Sequence, residues 1–214
     1  MFVDIGFEKN AFLHFWDAIP AALDSGIEEI DRRSNKRPRK RITVKDIPSI
    51  YPVGSDVIVQ VTKGPIGTKG PRVTTNLSFA GRYLVLMPFS DRSGISGKIQ
   101  EPKERERLRK ILRQLDIPEG VGVIIRTVGE GQRAKYFVRD LRVLLDQWAK
   151  VDQAIKDNPA PCRLFEEPDL VERTVRDFLT EEINEILCDD RGATERMIDM
   201  IGQISRRARN RVRY

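Results

Sequence analysis

The sequence is poor in the residues that most often bind metals or form disulfides. Its 214 residues include one histidine, His14, and two cysteines, Cys162 and Cys188. A zinc centre needs several His or Cys ligands at short spacing, and an acid–base pair of histidines needs a second imidazole. The cysteines form no Cys-x-x-Cys motif and cannot build a disulfide framework. A histidine-rich metal enzyme and a disulfide-stabilised secreted domain are therefore excluded.

Long apolar runs are also missing. No stretch approaches the roughly 20 apolar residues that a transmembrane helix needs, so we expect no membrane segment. Residues 1–6 have neither the basic nor the apolar region of a secretory leader. Hydrophobic residues still make up 40% of the chain, which is enough for packed cores and excludes wholesale disorder. We therefore expect a folded cytoplasmic protein with one large domain or two small ones.

Charge is unevenly distributed along the chain. The net charge is +6, but residues 32–41 hold seven basic groups and residues 205–214 hold five. Removing those positive charges leaves −6 for the rest of the chain. Clustered Lys and Arg are typical of polyanion binding, and a solvated loop and tail are the alternative.

The first 75 residues have the pattern of a small all-β module. Short runs of β-branched and aromatic residues alternate with turns, and a Gly- and Pro-rich loop at 64–71 separates the last two. Residues 16–30 are predicted as helical or irregular. The predicted strands are 2–5, 11–13, 57–61 and 72–79.

From residue 76 the pattern changes to a β-α-β-α unit that ends near residue 160. Apolar side chains recur at helical spacing within its helices, and polar residues leave the strand ends, which favours a ligand site there. A linker at 158–161 precedes two more helices. The predicted elements are a strand at 83–87, a helix at 102–115, a strand at 121–125, a long helix with an apolar stripe from Phe137 to Ile155, a helix with a stripe from Val171 to Ile186, a last helix at 193–208 and a strand at 211–214.

Several short motifs follow one another along nearly the whole chain. They are Phe-Val-Asp-Ile-Gly at 2–6, Phe-Leu at 12–13, Gly-Thr-Lys-Gly-Pro-Arg-Val-Thr-Thr at 67–75, Gly-Arg-Tyr-Leu-Val-Leu-Met-Pro at 81–88, Gly-Ile-Ser at 94–96, Ile-Ile-Arg-Thr-Val-Gly-Glu-Gly at 124–131, Pro-Ala-Pro at 159–161 and Arg-Asp-Phe at 176–178. This set, in this order, resembles the ribonuclease E/G family.

The resemblance implies an α+β, multi-domain fragment with three parts. Residues 1–75 would be an S1 RNA-binding domain, an OB-fold β-barrel that is incomplete because its N-terminal strands are missing. Residues 76–171 would be the 5′-sensor domain, and 172–214 a partial, helical RNase H-like segment. The family's DNase I-like catalytic subdomain would follow, so we expect the chain to lack it.

Three residues match the family's RNA-contacting positions in the S1 domain. Phe2 and Phe12 correspond to aromatics that stack on bases, which suits sequence-tolerant binding of single strands. Lys69, between Gly67 and Gly70, corresponds to a lysine that contacts RNA. The alternatives are barrel core for the two rings and a solvated hairpin residue for the lysine. By the same resemblance, segment 32–41 lies in the S1 module and is interpreted as an extra phosphate-contacting arm, with a solvated loop as the rival interpretation.

Four residues match the family's pocket for a 5′-monophosphate. Arg126 and Thr127 leave the end of a predicted strand and would offer a guanidinium fork and a hydroxyl to phosphate oxygens. Gly81 and Val85 match the other wall of the pocket. The alternative for Arg126 is an ordinary surface arginine. One family contact comes from the catalytic subdomain.

No catalytic or metal-binding residues are assigned within this chain. Asp189 and Asp190 are adjacent, and nothing else supports a metal site, so Mg²⁺ is expected only for the full-length family enzyme. The resemblance implies the RNA-binding and 5′-monophosphate-sensing part of a single-strand-specific endoribonuclease in RNA processing and decay, inactive alone. A companion polypeptide could carry the catalytic half. The alternatives are a general RNA-binding module that uses only the S1 surface and the basic arm, and a non-functional remnant.

Overall fold

The computed structural model describes residues 1–20, 27–30, 42–178, 183–204 and 206–214. The basic segment at 32–41 lies outside these residues, so its interpretation as a phosphate-contacting arm remains a prediction. The chain forms two compact units, Met1–Leu164 and Phe165–Tyr214.

Within its described residues, the first unit combines two sheets with three α-helices. One-turn 3₁₀ segments at Phe15–Asp17, Val44–Asp46 and Thr127–Gly129 join some of these elements. The strands are β1 (Phe2–Val3), β2 (Ala11–Leu13), β3 (Ile27–Ile30), β4 (Gln60–Lys63), β5 (Arg72–Thr74), β6 (Phe79–Ala80), β7 (Leu84–Pro88), β8 (Ser93–Ser96) and β9 (Val121–Ile125). The helices are α1 (Ile47–Ile50), α2 (Pro102–Gln114) and α3 (Ala134–Asp157).

The smaller sheet has the strand order β1-β2-β5-β4, with β2 and β5 parallel and the other pairs antiparallel. Successive side chains of a strand point to opposite faces. Ala11 and Leu13 of β2 and Val73 of β5 are therefore buried together, against Ala18 and Ile47. None of the sheets formed by the described residues closes into a barrel, and the S1 assignment remains a prediction.

The larger sheet has the order β3-β8-β9-β7-β6, in which only the central pair β8 and β9 is parallel. Alternate residues of β7 and β9 are buried, and α2 and α3 pack on that face to form the main core of the unit. Helix α2 begins where Pro102 follows Glu101, whose carboxylate accepts hydrogen bonds from the backbone N–H groups of Lys103 and Glu104.

Two strands of the larger sheet, β3 and β8, are not predicted by the sequence. The segment containing β3 is predicted as helical or irregular, but β3 pairs with β8 along four residues. Gly94 makes this pairing possible, because a Cβ there would overlap the carbonyl oxygen of Glu28. The carboxylate of Glu28 also pairs with Arg105 and Arg109 of α2. A strand from the first 75 residues thus belongs to the sheet formed mainly by residues 79–125.

The second unit contains α4 (Leu170–Phe178), β10 (Ile186–Leu187), α5 (Arg191–Ile204) and β11 (Val212–Arg213), with a 3₁₀ segment at Arg206–Arg211. The predicted helical stripe from Val171 to Ile186 is wrong at its end, because Ile186 lies in β10, which pairs in parallel with β11. Apolar residues of α4 and α5, including Val175 and Ile201, form a separate core.

The basic tail is engaged within this unit. Arg209 lies 3.4 Å from Asp199, Arg211 donates to the carbonyl oxygen of Ile183 at 2.9 Å, and Arg213 lies 3.0 Å from Glu185. Exposed ion pairs such as those of Arg209 and Arg213 contribute little to stability. These contacts and the hydrogen bond of Arg211 do give the three arginines a local role that needs no polyanion.

We predict that the buried stripe of α3 is essential to the first unit. Leu144 is 1% exposed, whereas its neighbour Val143 is 50% exposed. Leu144→Ala leaves a cavity and should cost about 2–5 kcal/mol in free energy of unfolding, as core leucines do. Val143→Ala serves as the matched control and should cost far less. Urea unfolding followed by circular dichroism checks both, and equal costs would contradict the packing described here.

Candidate nucleic-acid interface

Phe2 and Phe12 lie on the exposed face of the smaller sheet. They are direct cross-strand partners, and their ring centroids are 5.8 Å apart. Phe2 is 75% exposed and Phe12 is 40% exposed, while Ala11 and Leu13 fill the core on the opposite face. The core interpretation therefore does not hold for these rings, which are placed where a base could stack on them.

Two further residues extend this surface, and the sequence did not indicate either of them. The His14 ring lies 6.1 Å from that of Phe12, and its Nδ1 accepts a hydrogen bond from the backbone N–H of Trp16. Arg72 stands opposite Phe12 on the neighbouring strand, and its guanidinium is held by Asp17 at 2.7 Å. The alternation of the strands is the signal that places these side chains on one face.

Lys69 lies in the hairpin that leads into β5. A two-residue turn connects Ile66 and Lys69, which exchange backbone hydrogen bonds of 3.2 and 3.0 Å. Gly67, the first turn residue, has φ +55°, a value that favours glycine. The hairpin is anchored at Gly70, where a Cβ would overlap the carbonyl of Asn10. The chain thereby presents Lys69 at the end of the sheet that carries the two phenylalanines.

The second candidate site lies at the ends of the parallel strands β8 and β9, where ligand sites are common in α/β sheets. Arg126 follows β9, and its Nη1 donates to the carbonyl oxygen of Gly81 at 2.5 Å and to that of Arg82 at 3.4 Å. Its backbone N–H donates to the carbonyl of Tyr83 at 2.8 Å. Two of the predicted residues, Gly81 and Arg126, are thus in direct contact.

The other predicted residues lie on the same strands. Val85 is half-buried and stands opposite Ile124, two residues before Arg126. Thr127 is exposed, and its hydroxyl oxygen lies 3.0 Å from that of Ser96 at the end of β8. The structure therefore places all four predicted residues around the ends of β7 and β9, and their role in binding remains a prediction.

A partly buried acid, Asp140, lies beneath this site. Its carboxylate accepts hydrogen bonds from the consecutive backbone N–H groups of Arg82, Tyr83 and Leu84 at 3.1, 2.8 and 2.9 Å. Burial raises the pKa of Asp140 above its usual range, and these hydrogen bonds and the Arg126 charge oppose that rise. Sequence reasoning did not single out this residue. The available signal was an acid three residues after Phe137, on the buried face of α3.

The loop that carries Thr127 is tied to α2 by an ion pair. Glu104 and Arg107 are bonded to each other, with Nη2 of the arginine 2.6 Å from the carboxylate. The same carboxylate accepts from the backbone N–H of Gly131 at 2.8 Å, and Arg107 donates to the carbonyl of Gln132 at 2.8 Å. These contacts set the position of the loop relative to the helix.

The described residues form no candidate metal site. They contain no group of three His, Cys, Asp or Glu side chains that could hold a metal ion. Of the adjacent acids in the second unit, Asp190 caps α5 and accepts from the backbone N–H of Ala193 at 2.6 Å. No helix within the described ranges combines the length and apolar character needed to cross a bilayer.

The fold is that of a mixed α/β protein with an exposed aromatic surface and an arginine-containing site at its strand ends. The sequence model of the Ribonuclease E/G family matches residues 78–214. The chain belongs to this family, as its motifs indicate.

Individual relatives agree with this assignment. The chain is 37% identical over 202 residues to Ribonuclease G of Escherichia coli K12, which covers 94% of this chain and 39% of the relative. It is 39% identical over 188 residues to Ribonuclease E of Haemophilus influenzae Rd, covering 88% of this chain and 19% of the relative. The chain therefore spans only a minor part of the length of these curated relatives.

We predict that Glu104 makes stability depend on pH. The Arg107 hydrogen bond, and to a lesser extent that from Gly131, outweighs burial and lowers the pKa of Glu104 below its ordinary value of 4.5. A carboxylate with a lowered folded-state pKa contributes stability above its unfolded-state pKa and loses it as the pH falls through the lowered value. Acidification should therefore destabilise the wild-type protein more steeply than Glu104→Gln.

Urea unfolding at a series of pH values from about 7 to about 3 measures this dependence. Arg107→Met removes the same hydrogen bonds from the other side and should flatten the curve in a similar way. If the wild-type and Glu104→Gln curves run parallel through this range, the ion pair does not couple to stability as described.

Proposed function

We propose that this chain is the RNA-binding and 5′-monophosphate-sensing part of a ribonuclease E/G-type, single-strand-specific endoribonuclease that acts in RNA processing and decay in the cytoplasm. The observation that supports it best is the position of Arg126. Its guanidinium is held by the carbonyl of Gly81, and the following residue, the exposed Thr127, has its hydroxyl 3.0 Å from that of Ser96 at the ends of two parallel strands.

The chemistry of this site favours a terminal phosphate. A guanidinium offers donors in a planar fork that matches phosphate oxygens, and a neighbouring hydroxyl can add one more donor. A 5′-monophosphate carries more negative charge than an internal phosphodiester and leaves its oxygens open to several donors. The site can therefore distinguish the end of an RNA from its middle.

The aromatic surface supplies the other part of the proposed function. Phe2 and Phe12 offer ring faces to bases whatever their sequence, while Lys69 offers a cation to the backbone. This combination is typical of sequence-tolerant binding to single strands. We propose that it holds the RNA while the strand-end site inspects its 5′ terminus.

We assign no hydrolytic step to the residues of this chain. The family resemblance implies phosphodiester hydrolysis with Mg²⁺, and the described residues contain no cluster that fits the ion. We propose that cleavage by an enzyme of this type uses residues outside this chain, which a companion polypeptide could supply.

A second candidate function is general RNA binding without end recognition. The exposure of Phe2 and Phe12 favours it, because this surface is built independently of Arg126. This second function predicts different results from 5′-end sensing. RNA affinity would fall steeply with salt, would be reduced by Lys69→Ala and would not depend on the 5′ group.

We predict that the protein binds 5′-monophosphorylated RNA more tightly than 5′-hydroxyl RNA of the same sequence, and that Arg126→Ala abolishes the difference. Fluorescence anisotropy at low salt with a single-stranded, 3′-labelled oligonucleotide measures both affinities. Arg142→Ala, an exposed arginine on α3, is the matched control and should keep the preference. Equal wild-type affinities for the two RNAs would rule out the sensor assignment and leave the general RNA-binding function.

We predict that Phe12→Ala weakens binding of both RNAs to the same extent, because stacking does not depend on the 5′ group. A loss of about 1–3 kcal/mol is expected for one stacked base. Phe89→Ala is the control, since Phe89 is also an exposed aromatic (64%) but packs on Trp148 near the larger sheet. Unchanged affinities in Phe12→Ala, or an equal loss in Phe89→Ala, would remove the aromatic surface from the binding site.

A further inference from the structure

The turn from Gly81 to Leu84 has two sides, and each is bonded to a different charged group. On one side, three consecutive backbone N–H groups converge on the Asp140 carboxylate, at 2.8 to 3.1 Å. Such a concave array of N–H groups binds an anion well. In this protein the anion is a side chain of the chain itself, supplied by the buried face of α3.

On the other side of the turn, carbonyl groups hold Arg126. The carbonyl oxygens of Gly81 and Arg82 accept from its Nη1, and that of Tyr83 accepts from its backbone N–H. A peptide unit is planar, so the direction of an N–H group fixes the direction of the carbonyl bonded to it. The carboxylate that orients the N–H groups of the turn therefore also orients the carbonyls that receive the guanidinium.

Gly81 shows how close this packing is. A Cβ on Gly81 would lie 2.6 Å from Oδ2 of Asp140. The absence of a side chain therefore lets the carboxylate approach the turn, and the residue is needed here for space rather than for an unusual φ. This contact gives a physical reason for a glycine at position 81, which the family resemblance assigns to the wall of the pocket.

Charge links the same groups. Asp140 is partly buried, and the charge of Arg126 acts on it across the turn. A partly buried carboxylate that loses its hydrogen-bond donors, or a guanidinium that loses its counter-charge, must rearrange. Each contact of Asp140 described above is thus with the Gly81–Leu84 turn or with Arg126, which together form one side of the candidate pocket.

We propose that Asp140 is the positioning residue of the 5′-phosphate pocket: it holds the Gly81–Leu84 turn and, through the carbonyls of that turn, sets the guanidinium of Arg126 for a phosphate. This inference rests on the proposed function. Asp140 does not touch the ligand itself. It acts through Arg126, so its removal should affect the recognition of the 5′ end and spare the aromatic surface.

Asp140→Asn is the sharpest test because it preserves the size of the side chain. An amide has one acceptor oxygen and one NH₂ donor, so its nitrogen would face a backbone N–H of the turn. The substitution also removes the negative charge near Arg126. Asp146→Asn, on the exposed face of the same helix, is the matched control.

The experiment measures Kd for 5′-monophosphorylated and 5′-hydroxyl RNA of one sequence, for the full chain and each variant. We expect the ratio of the two Kd values to fall to about one in Asp140→Asn, as in Arg126→Ala, and to keep its wild-type value in Asp146→Asn. Affinity for 5′-hydroxyl RNA should be unchanged in all of them, which also reports that the aromatic surface is folded. Hydrogen exchange of the amides of residues 82–84 should be faster in Asp140→Asn.

The outcomes separate this inference from the proposed function. If the wild type prefers the 5′-monophosphate and Arg126→Ala loses that preference while Asp140→Asn keeps it, the positioning role is wrong and the proposed function stands. If the wild type shows no preference, the proposed function fails and the role of Asp140 fails with it. Should Asp140→Asn not fold, Gly81→Ala carries the test, because it displaces the carboxylate from the other side. A wild-type preference in a folded Gly81→Ala would equally overturn the inference.

Discussion

The packing of α3 on the five-stranded sheet is the constraint on which the rest of the first unit depends. The buried faces of β7 and β9 and the stripe of α3 exclude water from one another, at about 25 cal/mol per Å² of apolar surface. This burial fixes the rotation of α3. Because Asp140 lies on the same face as Phe137 and Leu144, the packing that buries those side chains also carries a carboxylate under the Gly81–Leu84 turn.

The two candidate sites of the unit offer different interactions, aromatic stacking in one and charged or hydroxyl donors in the other, and these complement each other. The smaller sheet offers rings and a lysine, the groups that we propose bind a single strand with little regard to sequence. The larger sheet offers Arg126 and Thr127 beside a turn in which the N–H groups of residues 82–84 are already bonded to Asp140 and are not open to an external anion. A protein that combines both sites could bind single-stranded RNA of any sequence and still be selective for the group at its 5′ end. This combination supports the function proposed for this member of the Ribonuclease E/G family.

Hydrophobic spacing along the sequence predicted the helices and strands that are specified by their own residues. The apolar spacing predicted α2 to within a residue, and strong β runs predicted β2 and β9. The strands β3 and β8 were missed, because Ser-Gly-Ile-Ser has weak strand propensity and its pairing needs the close approach at Gly94. The helix expected to reach Ile186 was misjudged for the same reason, since that residue gains its partner only from β11.

The sequence by itself determined the family and the presence of Arg126 at the end of a strand. These follow from the order of the motifs and from the strong β run that precedes Arg126. Only the tertiary structure decided that Asp140 lies against Gly81 and that Glu104 holds the loop after Thr127. Those contacts join residues 59 and 27 positions apart, and such pairs meet only after helices pack on a sheet and buried polar groups find partners.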